Sequence, residues 1–309
     1  LYAVPVPEQA GVSNTTVTMN AASMNNSGFE FSATYRNRDH DFKYELSANL
    51  STLRNRVTSL GFGTDSYISG AYITNVGQEI GQFYGWAYEG IARTQEDLDN
   101  HATQEGAQIG DCLYKDISGP DGKPDGKVDA NDQVVLGSGM PKIHFGLNAR
   151  FEYKRFDLSI ATFGALNYHV SDDIYNSLNS CYGWGNKEVG MLDANRFSED
   201  GSTYLSNVPR TYVTNSASLG WNDLFSSRKI QNAAYWKIAN VELGYNFPNE
   251  WFGKYVSDVR FYVSAQNLHT FTGYHGYNVD YAGGTFTPGY NFCSYPTART
   301  FMCGVHFTF

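Results

Sequence analysis

The last residues of the chain alternate. Phe301, Cys303, Val305, Phe307 and Phe309 are apolar or aromatic, and Met302, Gly304, His306 and Thr308 between them are mostly small or polar. An extended chain points successive side chains to opposite faces, so this pattern predicts a strand with one bare apolar face. The stretch "KIHFGLNARFEY" repeats it, with Ile143, Phe145, Leu147, Ala149, Phe151 and Tyr153 on one side and His144, Gly146, Asn148, Arg150 and Glu152 on the other. After Lys154 and Arg155 the pattern restarts, with Phe156, Leu158, Ile160, Leu166 and Tyr168 on one face. An earlier hairpin places Phe29, Phe31, Ala33 and Tyr35 before the polar turn "NRDHD" and Phe42, Tyr44, Leu46, Ala48 and Leu50 after it. Two further strands carry Val241, Leu243, Tyr245 and Phe247, then Val259, Phe261, Val263 and Ala265. With the short "LYAVPVP" segment at the start, the pattern predicts about eight strands.

These runs are about twice as long as an ordinary globular strand. They match what a tilted strand needs to cross a bilayer. The connections near 37–41, 154–155 and 248–257 are short, whereas 8–27, 55–141, 170–232 and 270–298 are long. Short turns at one end and long loops at the other are the layout of an outer-membrane barrel, with the long loops outside the cell. A soluble β-sandwich also alternates, but its strands are shorter and its turn signals closer together. Long loops of this kind are hard to place in a compact sandwich. No fixed period recurs, which sets a propeller aside. The expected fold is therefore all-β, a transmembrane antiparallel β-barrel. The weight of loop suggests the end of a larger barrel rather than a small closed one.

Composition agrees with this picture. Aromatic residues make up 16% of 309 positions, no run of eighteen apolar residues occurs, and a transmembrane helix is excluded. A net charge of −9 without clustered Lys or Arg argues against nucleic acid as a partner. Cys112, Cys181, Cys293 and Cys303 lack the CxxC spacing of zinc or redox motifs, and a disulfide between loop cysteines stays open. The opening "LYAVPVPEQAG" is no signal peptide and reads as the middle of a longer or processed chain.

Five blocks, "NVGQEIGQFYGWAYEGI", "GDCLYKDISGPDGKPDGKVDANDQVVLGSGMPKIHFG", "YWKIANVELGYNFP", "VRFYVSAQNLHTFTGYHGY" and "YPTARTFMCGVHFTF", occur in this order. Together they resemble the C-terminal part of the SusC family of TonB-dependent outer-membrane transporters, from about residue 5 to the end. The resemblance implies a 22-stranded barrel whose plug domain and TonB box lie outside this chain, with residues 1–309 as its C-terminal part. It also implies a SusD-type surface lipoprotein as lid, coupling to TonB, and outer-membrane lipid around the wall.

The stretch "DGKPDGKVDAND" places Asp121, Asp125, Gly126, Asp129 and Asp132 at positions 1, 5, 6, 9 and 12 of a calcium-loop pattern, with Val128 at position 8. Closely spaced carboxylates around a Gly turn supply the oxygens that Ca²⁺ prefers. Lys123 stands where an oxygen ligand belongs, Asp132 replaces the long bidentate Glu, and Asp116 stands as an alternative ligand suggested by the more compact pattern of the resembled family. An Asp/Gly surface turn solvated by water is the other reading. Among loop aromatics, Tyr182, Trp184, Tyr274, Tyr277 and Tyr281 are candidate contacts for a passing sugar or peptide, although packing within the loops would also use them.

No GxSxG elbow, HExxH helix or phosphate-binding GxxxxGK[ST] loop is present, and the seven His residues are scattered. An enzyme is therefore not expected. Two functions remain: energised import of nutrient oligomers, glycan fragments first and oligopeptides second, or a passive porin or surface-adhesin barrel.

Overall fold

The computed structural model describes residues 2–5, 16–61, 63–181, 185–211, 220–252, 256–280 and 283–309. Seven long strands dominate: β1 (Glu30–Asn37), β2 (Phe42–Thr52), β3 (Ile143–Tyr153), β4 (Phe156–Leu166), β5 (Tyr235–Asn246), β6 (Asp258–Thr272) and β7 (Thr300–Thr308). Each pairs antiparallel with its neighbours in sequence, so the sheet is a plain meander from β1 to β7. The 11 residues of β3 extend about 37 Å at roughly 3.4 Å per residue, or about 28 Å across a bilayer at a tilt near 40°.

Register carries the apolar alternation across the sheet. One transverse row runs Tyr35, Leu46, Ala149, Ile160, Val241, Ala265 and Phe301; the row below it continues Tyr44, Phe151, Leu158, Leu243, Val263 and Cys303. Interleaved rows on the other face are polar, such as Arg36, Glu45, Arg150, Ser159, Glu242 and Ser264. Tyr35, Leu46, Leu147, Leu243, Val263, Phe301 and Phe307 are all solvent-accessible. An apolar surface this broad is stable against lipid and a liability in water.

Aromatic rings gather toward both ends of that face. Near one end Phe42 stacks on Phe151 with centroids 6.0 Å apart, and Phe156 meets Tyr245 at 4.8 Å. Near the other, Trp236 stacks on Phe271 at 5.4 Å. This is the girdle arrangement expected where a wall meets the two membrane interfaces.

A bulge breaks the alternation in β5. Ala161 pairs with Asn240 and Thr162 with Ile238, which leaves Ala239 unpaired against β4. Across the next ladder, Asn267 and Leu268 of β6 are the extra residues, and Asn267 adopts φ +52°, a left-handed conformation that Asn tolerates better than most residues. Facing parity therefore switches inside β5. Tyr235 and Lys237 turn inward above the bulge, and Asn240 and Glu242 turn inward below it.

Two sequence expectations change. The described part of "LYAVPVP", Tyr2–Pro5, does not extend the sheet: it pairs with Thr16–Met19, and among the described residues the sheet has seven strands where about eight were expected. Tyr168 is not on a strand face; β4 stops at Leu166, and Tyr168 is buried with Val170, Ala233, Tyr235, Tyr274 and Val279. The long loops are themselves folded. Ser66–Ser69, Tyr72–Asn75, Gln82–Trp86 and Gln133–Ser138 form a four-stranded sheet of their own, and Ser23–Ser27 pairs with Arg54–Ser59 beyond the β1–β2 hairpin.

The facing assignment predicts an asymmetry. Leu243→Arg should cost assembly about 2–4 kcal/mol, the price of a charge on the lipid face near the midplane. Asn148→Arg, on the opposite face, should be tolerated; equal loss of the folded, heat-modifiable band from both variants would refute the assignment.

Candidate functional site

The polar face divides along the strand axis. At the short-turn end, Arg260 donates to both oxygens of Asp157 and, at 2.7 Å, to Glu242, bridging β4, β5 and β6. Gly244 makes room for this bridge, since a Cβ there would lie 2.4 Å from the guanidinium. On β1 to β3, Arg36 pairs with Glu45 at 2.7 Å and Arg150 with Glu152 at 3.0 Å. The polar face at this end is a belt of paired charges.

At the loop end the same face is largely apolar. Phe163, Ala165, Tyr168 and Tyr235 line a cavity of about 920 Å³, completed by Met24, Leu53, Met140, Val279 and Pro288 from the loops, with His144, Asn26, Asn55 and Asp280 as polar members. Lys237, nearly buried, is neutralised by Asp280 at 2.6 Å. The cavity belongs to a size class that holds drug-sized ligands.

The two longest loops close into one body beside it. Asp111 is buried and binds Arg210 through Nε at 2.5 Å and Nη2 at 3.0 Å, while Asn222 donates to Asp111 at 2.7 Å. Asn222 also accepts from the Cys112 backbone N–H, and the neighbouring Asp223 accepts from that of Cys181. Arg93 donates to the carbonyls of Tyr204 and Ser206. These joints were not visible in the sequence because most of their partners lie about a hundred positions apart. All four cysteines are free; burial pushes the Cys112 thiol up to about 12 and the Cys181 thiol up to about 11.

The Asp-rich stretch folds as a turn whose carboxylates serve its own backbone. Asp132, fully buried, accepts from the N–H groups of Ile117 (2.7 Å), Ser118 (3.0 Å) and Asp129 (2.7 Å). Asp129 accepts from Asn131, Asp125 from Lys127, and Asp116 from Asp125 and Gly126. Asp121 is exposed at the tip. The structure therefore does not bring Asp121, Asp125, Asp129 and Asp132 together, and no group of three or more His, Cys, Asp or Glu that could hold a metal occurs among the described residues.

The aromatic candidates separate. Tyr274 is buried, its hydroxyl bonded to Asp172, with Asn291 donating to both at 2.8 and 3.0 Å. That triad ties the end of β6 to the segment after β4, which is packing rather than ligand contact. Tyr277 is exposed. Tyr182, Trp184 and Tyr281 lie outside the described residues.

A seven-stranded meander with one lipid-compatible face, one polar face and folded loops at one end is a wall of an outer-membrane-type β-barrel. The chain is 30% identical over its whole length to the TonB-dependent receptor P3 of Formosa agariphila, spanning 31% of that protein. It is 25% identical, over 96% of its length, to the TonB-dependent receptor SusC of Bacteroides thetaiotaomicron, spanning 27% of it. No family model matches the chain. Among solved structures, the RagAB peptide transporter superposes with a TM-score of 0.76 at 22% identity, over 99% of this chain and 31% of that one. The RagAB peptide importer in its closed-closed state gives 0.74 at 23% identity, over 99% and 32%. At these identities the structural likeness shows the fold. The resemblance to TonB-dependent receptors, SusC among them, holds along the whole chain, which spans about a third of the relatives' length.

Two outcomes follow for the loops. Asp132→Ala strands three backbone donors and should destabilise the loop body by about 1–3 kcal/mol, whereas Asp121→Ala should cost almost nothing; equal losses in thermal melts would contradict that division between the two carboxylates. In the folded protein a soluble maleimide at neutral pH should label exposed Cys293 and spare Cys112 and Cys181, whose raised thiol pKa values leave little thiolate. Labelling of all three at one rate, read by peptide mass spectrometry, would contradict that burial.

Proposed function

We propose that the chain is part of the barrel of an outer-membrane importer that takes up nutrient oligomers into a Gram-negative cell, energised through TonB. The observation that carries this reading is a two-faced seven-strand wall joined to whole-length similarity with TonB-dependent receptors. In this reading β1 and β7, each with a single sheet neighbour among the described residues, receive the remaining barrel strands. The charge belt at the short-turn end faces a plug, and the loops stand outside the cell beneath a SusD-type surface lipoprotein. Glycan fragments stand first as cargo and oligopeptides second. A passive barrel would share the wall and not the energy coupling.

The test uses the full-length protein in its host and follows accumulation of labelled oligosaccharides and oligopeptides. Uptake should fall to background on deletion of TonB and on collapse of the proton gradient. Uptake that persists under both treatments would establish passive diffusion instead.

A further inference from the structure

A second cavity, of about 730 Å³, lies wholly within the loops and shares no lining residue with the one above the wall. Its lining includes Gln95, Asp99, Gln108, Asn195, Phe197 and Arg210. The first cavity is chiefly apolar; this one presents amide, carboxylate, guanidinium and imidazole groups, with Phe197 as its one phenyl ring and Leu98 and Ile109 among its aliphatic members.

Bonds within the chain set several of these groups in place. Gln95 donates to Asp99 at 2.9 Å. Asn195 donates to Thr211 Oγ1 at 2.5 Å and accepts from the Thr211 backbone N–H at 3.0 Å. Arg210 is locked by its two bonds to buried Asp111. Phe197 sits edge-on to Tyr204, with ring centroids 5.0 Å apart and planes at 75°. Tyr204 is itself buried, donating to the Val208 carbonyl at 2.8 Å and accepting from Asn195 at 3.1 Å. The Phe197 ring keeps 38% of its surface exposed on this support.

The arrangement mixes donors and acceptors, its Arg210 guanidinium is already neutralised by Asp111, and His101 is already engaged by Glu89 and the Ala102 carbonyl. It offers little to a charged ligand. A neutral group carrying several hydroxyls uses both kinds of partner, and the apolar C–H face of a sugar ring covers an exposed aromatic ring. Groups fixed before binding lose little freedom when a ligand arrives.

We propose that this loop cavity is a recognition subsite for one or a few neutral sugar units of the cargo, separate from the cavity over the barrel wall. The proposal rests on the importer reading and names a place where cargo is read outside the lumenal face.

The test is binding to the full-length protein in detergent, by calorimetry, with neutral tetrasaccharides of glucose, galactose, mannose and xylose and a neutral tetrapeptide as probes. At least one tetrasaccharide should bind. Phe197→Ala and exposed Gln108→Ala should each weaken it about tenfold or more, Phe197→Tyr should restore it, and melting temperatures should hold. Phe163→Ala in the other cavity should leave this binding unchanged. No saccharide binding by the parent protein, or equal binding by Phe197→Ala and Gln108→Ala, overturns the subsite. Either result leaves TonB-dependent uptake of peptide intact as a reading, whereas saccharide binding without energised uptake would sink the importer and spare the subsite.

Discussion

Everything else in this structure depends on the ladder of backbone hydrogen bonds joining β1 to β7 in one register. In hydrocarbon no water replaces a missing partner, and each unsatisfied peptide group costs several kcal/mol. The ladder meets that demand between adjacent strands and leaves side chains to settle which face meets lipid. A one-residue slip would reverse the whole set, exposing Arg150, Glu242 and Lys237 to lipid and Leu147, Leu243 and Val263 to the interior. Register and membrane insertion are thus a single constraint. The rows running from Tyr35 to Phe301 and from Tyr44 to Cys303 show it being met on strand after strand.

The bulge at Ala239 belongs to the same constraint. In an unbroken strand Lys237 would share a face with Val241 and Leu243; the extra residue turns it inward to Asp280 and puts Trp236 on the lipid side against Phe271. A lysine facing lipid costs up to about 2–4 kcal/mol depending on depth, and the bulge removes that cost while placing an aromatic ring at the girdle. One unpaired residue thereby changes the inner surface from Asn, Glu and Gly below it to Tyr and Lys above it. The charged belt and the apolar cavity lie on opposite sides of this break.

Long-period alternation was legible because it is a local property: neighbouring residues decide which face each side chain takes. Strands β1 to β4 and β7 follow it throughout and β5 and β6 follow it on either side of their bulge, and the Lys154–Arg155 turn lies where the pattern restarts, with Lys154 at φ +56° in a tight reversal. The loops were not legible in the same way. Their strands are two to six residues long, too short for alternation to register, and are held by distant partners such as Asp111 with Arg210 and Asn222. The Asp-rich stretch shows the limit of spacing as a guide. Carboxylates at calcium-loop intervals also suit a turn that caps its own N–H groups, and the buried position of Asp132 over Ile117, Ser118 and Asp129 is set by folding rather than by the interval.

The division of labour between wall and loops follows from where polar backbone can be afforded. Within the bilayer only the regular ladder is available, so the wall's chemistry is limited to inward side chains at every second position. Beyond the rim, water and side-chain partners satisfy irregular backbone, and the chain there builds its buried polar joints, its separate small cores and a cavity lined by amide and charged groups. Discrimination among oligomers requires such groups held at fixed positions, and the Asp111–Arg210 and Tyr204–Val208 contacts supply that rigidity. In the importer proposed above, the loops are the place for recognition for the same physical reason that the wall is the place for passage.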